Sequence, residues 1–203
     1  MLNQEWLLFI AQIPATPSSI RVRVWRKLRD AGATSLQNGV WVLPRNNDNV
    51  LVLELLQGYI KQNNASGQIL TVNGLNQTEN DNIIERFRAD RDQEYSEFLE
   101  QCTVLVNELE KETRNQKFNF AELEENEQNY QRLRKWINKI QKRDFLTTDK
   151  NLEAISTLQG CRDRLQTFAH MVYTQEGVNN IMNAELLSED RDTSDEEEND
   201  DIE

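Results

Sequence analysis

The chain has 203 residues and a formal net charge of −12, from 23 basic and 35 acidic side chains. Apolar residues make up 37% of it, which is enough for a hydrophobic core through most of its length. The charge is uneven: residues 1–75 carry +3, residues 76–188 carry −6 and residues 189–203 carry −9. The acidity is concentrated at the end of the chain, so nucleic acid is not excluded as a partner of the rest.

Several classes of protein are excluded by what the sequence lacks. No apolar run approaches the roughly 18 residues of a membrane span, and the N-terminus has no basic segment or cleavage site of a secretion signal. Cys102 and Cys161 do not make a disulfide framework, and a single histidine, His170, excludes His-rich metal sites. These features favour a cytoplasmic protein without membrane association and with free thiols.

The first 75 residues predict a small α/β sandwich. Short apolar runs at 6–13 and 68–73 predict strands, and Asn38-Gly39 predicts a tight hairpin within residues 33–44. Thr16 and Pro17 predict the start of a first helix, and a second helix is expected after the caps offered at residues 46–48. The expected inner faces are Ile20, Val24, Leu28 and Ala31 in the first helix and Val52, Leu55, Leu56, Tyr59 and Ile60 in the second. This βαββαβ order predicts a ferredoxin-like arrangement, with both helices on one face of one sheet.

Residues 76–187 predict an antiparallel helical bundle or an extended arm. The apolar spacing of three and four residues indicates helices at about 79–114, 121–143 and 149–174, the first of them opened by a Thr78–Asp81 capping box. The expected inner face of the last helix includes Leu152, Ile155, Leu158, Leu165, Phe168 and Val172. From residue 188 to residue 203 the chain is acidic and nearly free of apolar residues, which predicts a disordered tail.

A basic stripe is the first candidate for a functional surface. Residues 128–143 contain six bases and no acid, and five of the bases fall within about a 100° arc of a helix, opposite its apolar face. The stripe consists of Arg132, Lys135, Lys139, Lys142 and Arg143. Such a surface suits contact with phosphate groups. The alternative is a solvated face that pairs with the acidic helix 79–114 or with the tail.

The first helix carries a second group of bases. Arg21, Arg23, Arg26 and Arg29 occur with Lys27 and with no acid before Asp30. Because arginine binds oxyanions bidentately, these residues are candidates for contact with nucleic acid or an oxyanion. The alternative is a helix that covers the sheet and lays its long side chains over its own outer face. Trp25 lies among these arginines, away from the expected core.

Two segments of the chain resemble a known family when they are taken together. The Val-Trp-Arg-Lys-Leu sequence at 24–28 and the Gln-Asn-Gly-Val-Trp-Val-Leu-Pro sequence at 37–44 are similar to the N-terminal region of the ChrB-type chromate resistance proteins. The segment 142–145, at the end of the basic helix, is also similar, and the resemblance covers about residues 5–150.

The resemblance implies a role in chromate resistance, since some members regulate transcription of a chromate efflux transporter. Longer members have a second, C-terminal domain, for which the residues after 150 leave no room. The first 75 residues also resemble the ferredoxin-like domain of the CRISPR adaptation nucleases and of the phenylacetate-pathway repressor, and such domains often dimerise. In those nucleases an aspartate at the end of the first strand serves the metal, whereas residues 11–14 here contain no carboxylate.

These observations predict a non-enzymatic, ChrB-like regulatory or accessory protein that binds DNA, or the chromate oxyanion, through its basic surfaces and forms a homodimer. The alternative is an interaction module that binds no DNA and whose helical bundle docks a partner protein. Catalysis is not expected, because the sequence has no cofactor motif and no metal-spaced set of ligands.

Overall fold

A four-stranded antiparallel sheet forms the N-terminal half of the part of the chain that the computed structural model describes, residues 5–177. The strands are β1 (Trp6–Gln12), β2 (Thr34–Gln37), β3 (Val40–Pro44) and β4 (Ser66–Val72). They lie in the order β2-β3-β1-β4. Two helices, α1 (Ser18–Asp30) and α2 (Asn47–Gln62), complete the βαββαβ order, so the predicted α+β, ferredoxin-like arrangement is confirmed.

Alternation along β1 divides the sheet into two buried faces. Leu7 and Phe9 pack against α1 and α2, whereas Trp6 points to the opposite face. The predicted hairpin joins β2 to β3, and Gly39 adopts a φ of +76° that favours glycine. The Gly39 carbonyl accepts a hydrogen bond from the Ala11 amide at 2.7 Å, and a Cβ atom on Gly39 would lie only 2.6 Å from the Ala11 carbonyl oxygen.

Two details of these helices differ from the sequence prediction. The N-cap of α1 is Pro17 rather than Thr16, and no side chain caps the helix. In α2 the side chain that faces the core is Leu53, which is fully buried, whereas Leu55 is 61% exposed. Leu53, Leu56 and Ile60 follow each other at spacings of three and four residues, so they form the true inner face.

Three long helices follow the sheet: α3 (Gln77–Arg114), α4 (Phe120–Arg143) and α5 (Asp149–Gln175). They pack on one another around a shared apolar core, and their bounds lie within two residues of the predicted ones. The cap of α3 is Asn76, whose side chain accepts a hydrogen bond from the Glu79 amide, rather than the expected Thr78–Asp81 box. Leu152 and Ile155 are exposed, because the inner face of α5 runs through Ala154, Cys161, Leu165 and Phe168. The predicted acidic tail, 188–203, lies outside the described residues.

The first turns of α3 pack against the sheet, and the rest of the helix packs in the bundle. Phe87 stacks on Trp6 with ring centroids 5.5 Å apart, and the Trp6 indole donates a hydrogen bond to the Asn80 side chain. At a rise of 1.5 Å per residue α3 is about 57 Å long. The helix is this long because its start covers the second face of the sheet and its remainder forms one edge of the bundle.

The far end of the bundle holds a buried carboxyl group. Glu112 is 4% exposed and accepts a hydrogen bond from the Asn126 amide nitrogen at 2.7 Å. Burial and a hydrogen bond with the neighbouring Glu122 carboxyl raise the pKa of Glu112 to about 7. The protonated form of this side chain is therefore the one that the fold favours.

We expect Glu112→Gln to stabilise the protein at pH 8 and to change it little at pH 5. In the unfolded chain Glu112 has its ordinary pKa near 4.5, so between that value and about 7 the folded protein binds more protons. Stability falls as pH rises through this window, and glutamine removes the loss because it does not ionise. Urea unfolding at both pH values measures the gain, on the order of 1–2 kcal/mol. Glu110→Gln, at an exposed neighbouring position, is the control. An equal loss of stability from pH 5 to pH 8 in the wild type and in Glu112→Gln would contradict the prediction.

Candidate nucleic-acid interface

The basic stripe occupies the outer face of the second half of α4. Arg132, Lys135, Lys139 and Lys142 are exposed, opposite the buried Leu133, Ile137 and Ile140. Arg132 donates a hydrogen bond to the Asn129 side chain at 3.1 Å, and the three lysines form no ion pair with any residue between 5 and 177. From Arg132 to Arg143 the stripe is about 16 Å long.

Arg143, at the end of the stripe, binds a buried carboxylate. Its Nε and NH2 groups donate to Glu94 Oε2 and Oε1 at 3.1 and 3.0 Å. Glu94 is only 6% exposed, and Arg143 is 13% exposed. At Arg143 the stripe therefore pairs with the acidic helix α3, as the alternative interpretation expects, and its donors are directed inwards.

Glu94 also binds the end of α1. The NH2 group of Arg29 lies 3.3 Å from Glu94 Oε1, the same oxygen that Arg143 contacts. Gly32, which follows α1 with a φ of +80°, packs so closely on Arg143 that a Cβ atom would lie 2.7 Å from the Arg143 Cβ. The ends of α1 and α4 are therefore held side by side.

A third arginine completes this group, which we call the Glu94 cluster: Arg29, Arg91, Glu94 and Arg143. Arg91 is 2% exposed, and its NH1 lies 3.2 Å from Glu94 Oε2. None of its side-chain nitrogens forms a hydrogen bond with residues of the described part of the chain, so the attraction is electrostatic. Burial lowers the pKa of the Arg91 guanidinium below its usual value, and the negative charge of Glu94 opposes that effect.

The cluster holds together the ends of the two basic helices. On α4, Lys139 and Lys135 precede Arg143 by four and eight residues, so they continue the same face. On α1, Arg26 and Val22 precede Arg29 by three and seven residues. We call these bases of the two helices, taken together, the basic ridge: Arg26, Arg29, Arg132, Lys135, Lys139 and Lys142.

The remaining arginines of α1 have local contacts. Arg21 donates to the Ala15 carbonyl at 2.8 Å, and Arg23 lies over the Tyr59 ring, 4.7 Å from its centroid. Both remain exposed. Arg23 therefore points towards α2 and away from the basic ridge.

Sequence reasoning missed the two residues that hold this surface together. Arg91 and Glu94 lie in an acidic helix whose charges look like those of a solvated face. Their spacing of three residues is typical of an exposed ion pair. They are buried because the ends of α1 and α4 pack against them. Nothing in the sequence distinguishes this charged pair from the exposed pairs of the same helix.

The remaining candidates carry no reactive arrangement. Cys102 and Cys161 are both buried in the core of the bundle, and the Cys161 thiol lies 3.7 Å from the Cys102 carbonyl oxygen. Among residues 5–177 no group of three or more histidine, cysteine or carboxylate side chains could hold a metal ion. Over the same range no helix is both long and apolar enough to cross a bilayer.

Comparison with known proteins agrees with the resemblance in the sequence. A family model described as "Protein ChrB, N-terminal" matches residues 21–179, which include both basic surfaces. Protein ChrB of Cupriavidus metallidurans is 41% identical over 39 residues, which are 19% of this chain and 12% of that protein. No solved structure matches the chain. The extent of the family match shows that the chain belongs to the ChrB N-terminal family, which is associated with chromate resistance.

Proposed function

We propose that this chain is a regulatory or accessory protein of chromate resistance that binds DNA through the basic ridge. The observation that carries the proposal is the Glu94 cluster, because one carboxylate binds both Arg29 and Arg143 and so holds the ends of two basic helices together. The exposed lysines and arginines of these two helices suit the duplex, which has one negative charge per roughly 1.7 Å of its axis. The family association with chromate resistance supplies the biological setting.

The net charge of the chain does not oppose this proposal. Of the net charge of −12, residues 189–203 carry −9, and the ridge itself has no acidic member. Screening at physiological salt restricts the effect of distant charges to about 8 Å. The local sign of the ridge therefore governs its contact with phosphate groups.

A titration against DNA at two salt concentrations tests the proposal. The full chain is titrated with a duplex that carries the sequence upstream of its own gene and with an unrelated duplex. We expect binding at low salt that weakens steeply as salt rises, because phosphate contacts release counterions. Absence of binding at low salt, both in the full chain and in a variant that lacks residues 189–203, would overturn the proposal.

Replacing two lysines of the stripe tests which surface makes the contact. We expect Lys135→Gln combined with Lys139→Gln to weaken duplex binding about tenfold and to reduce the logarithmic salt slope by about two. The matched control is Lys61→Gln combined with Lys111→Gln, which removes the same charge from exposed positions outside the ridge. Equal salt slopes for the two double variants would show that α4 does not contact the phosphates.

A further inference from the structure

Trp25 is an unusual surface residue. It is 50% exposed at the middle of α1, and Val22, one turn earlier, is 43% exposed. A tryptophan side chain normally buries much of its large apolar surface in a core or an interface. Neither side chain belongs to the core clusters of the sheet, so the sheet does not explain them.

The surroundings of Trp25 are cationic. The Arg29 guanidinium lies 5.8 Å from the centroid of the Trp25 ring, and α1 contains no acid before Asp30. Arg26 is exposed and forms no ion pair within residues 5–177. Arg29 also binds Glu94, so the indole ring adjoins the junction of α1 and α4 and lies beside the basic ridge.

The exposed Trp25 ring together with the arginines around it favours one kind of partner. A purely apolar partner would bury Arg26 without a counter-charge, which costs several kcal/mol for an unpaired ion. A partner that is negatively charged and also presents flat aromatic faces satisfies both features. In a duplex the base faces are already stacked on each other, whereas the bases of a single strand are available.

We propose that Trp25 is a stacking platform for an unpaired base, so that the basic ridge binds single-stranded nucleic acid with its backbone along the cations. This inference rests on the proposed function, because it names the form of nucleic acid that the same surface recognises. Val22 supports the edge of the base, and Arg26 and Arg29 contact the flanking phosphates. Stacking of this kind tolerates any base, so the contact has little sequence preference.

Substitution of Trp25 tests the proposal with an oligothymidylate of about 16 nucleotides and a duplex of the same length as probes. We expect Trp25→Ala to weaken binding of the single strand about tenfold, with little change in its salt slope, because a stacking contact releases no counterion. Trp25→Phe keeps an aromatic face and should restore most of the affinity. Duplex binding should be the same in all three proteins.

The control variant is Phe120→Ala, at an aromatic residue that is 44% exposed but lies at the acidic start of α4. It should bind the single strand as the wild type does, and melting curves of each variant verify the fold. A Trp25→Ala protein that binds the single strand with wild-type affinity, or a wild type that binds only the duplex, overturns this inference and leaves the proposed function standing. A wild type that binds neither probe at low salt overturns both.

Discussion

Replacing Glu94 by glutamine is expected to destabilise the protein by about 3 kcal/mol. The change keeps the size of the side chain but removes the carboxylate that Arg29, Arg91 and Arg143 share. Arg91 is 2% exposed, so water cannot replace the lost charge. A loss of this size lowers the melting temperature of a chain of this length by about 6–12 °C, which thermal unfolding followed by circular dichroism would measure.

Two controls separate burial from charge. Glu97→Gln removes a carboxylate one turn further along α3, at an exposed position, and should leave stability nearly unchanged. Arg29→Gln removes the most exposed arginine of the Glu94 cluster, which is 40% exposed, so it should cost less than about 1 kcal/mol. A Glu94→Gln protein with the same melting temperature as the wild type would show that the cluster does not hold α1 against α4.

Truncation of Phe87 to alanine should cost about 3–5 kcal/mol. Phe87 is 1% exposed, stacks on Trp6 and meets the edge of Phe145 at a centroid distance of 4.9 Å. Its removal leaves a cavity where α3 covers the second face of the sheet. Denaturant unfolding, followed by tryptophan fluorescence and by circular dichroism, measures the loss in the sheet and in the helices.

The matched control is Phe145→Ala, at the partly exposed partner of the same aromatic group. Phe145 is 42% exposed, so its truncation removes less buried apolar surface and leaves no closed cavity. We expect it to cost less than half as much as Phe87→Ala. Equal losses for the two variants would mean that Phe87 does not join the sheet to α3 in the way its burial indicates.

The elements of this fold follow from local patterns. The Asn38-Gly39 turn, the short apolar run of β1 and the spacing of three and four residues in α3–α5 each depend on neighbours in sequence, so their bounds are predicted to within about two residues. The caps are less certain, since Asn76 and Thr78 are both good N-caps and only the geometry of the chain selects Asn76. The inner faces of α2 and α5 were also partly wrong, at Leu55 and at Leu152 and Ile155, because several apolar side chains compete for one face.

The sequence by itself determined the family, the βαββαβ order, the three long helices and the two groups of bases. Only the tertiary structure decided that these groups meet, that Arg143 binds an internal carboxylate and that Trp25 adjoins the junction. The physical reason is how far apart in the sequence the interacting residues lie. Helix spacing is set by residues three and four apart, whereas Glu94 lies 65 residues from Arg29 and 49 from Arg143. A contact between charges that far apart leaves no periodic trace in the sequence, and it arises only when the fold brings Glu94 of α3 to the ends of α1 and α4.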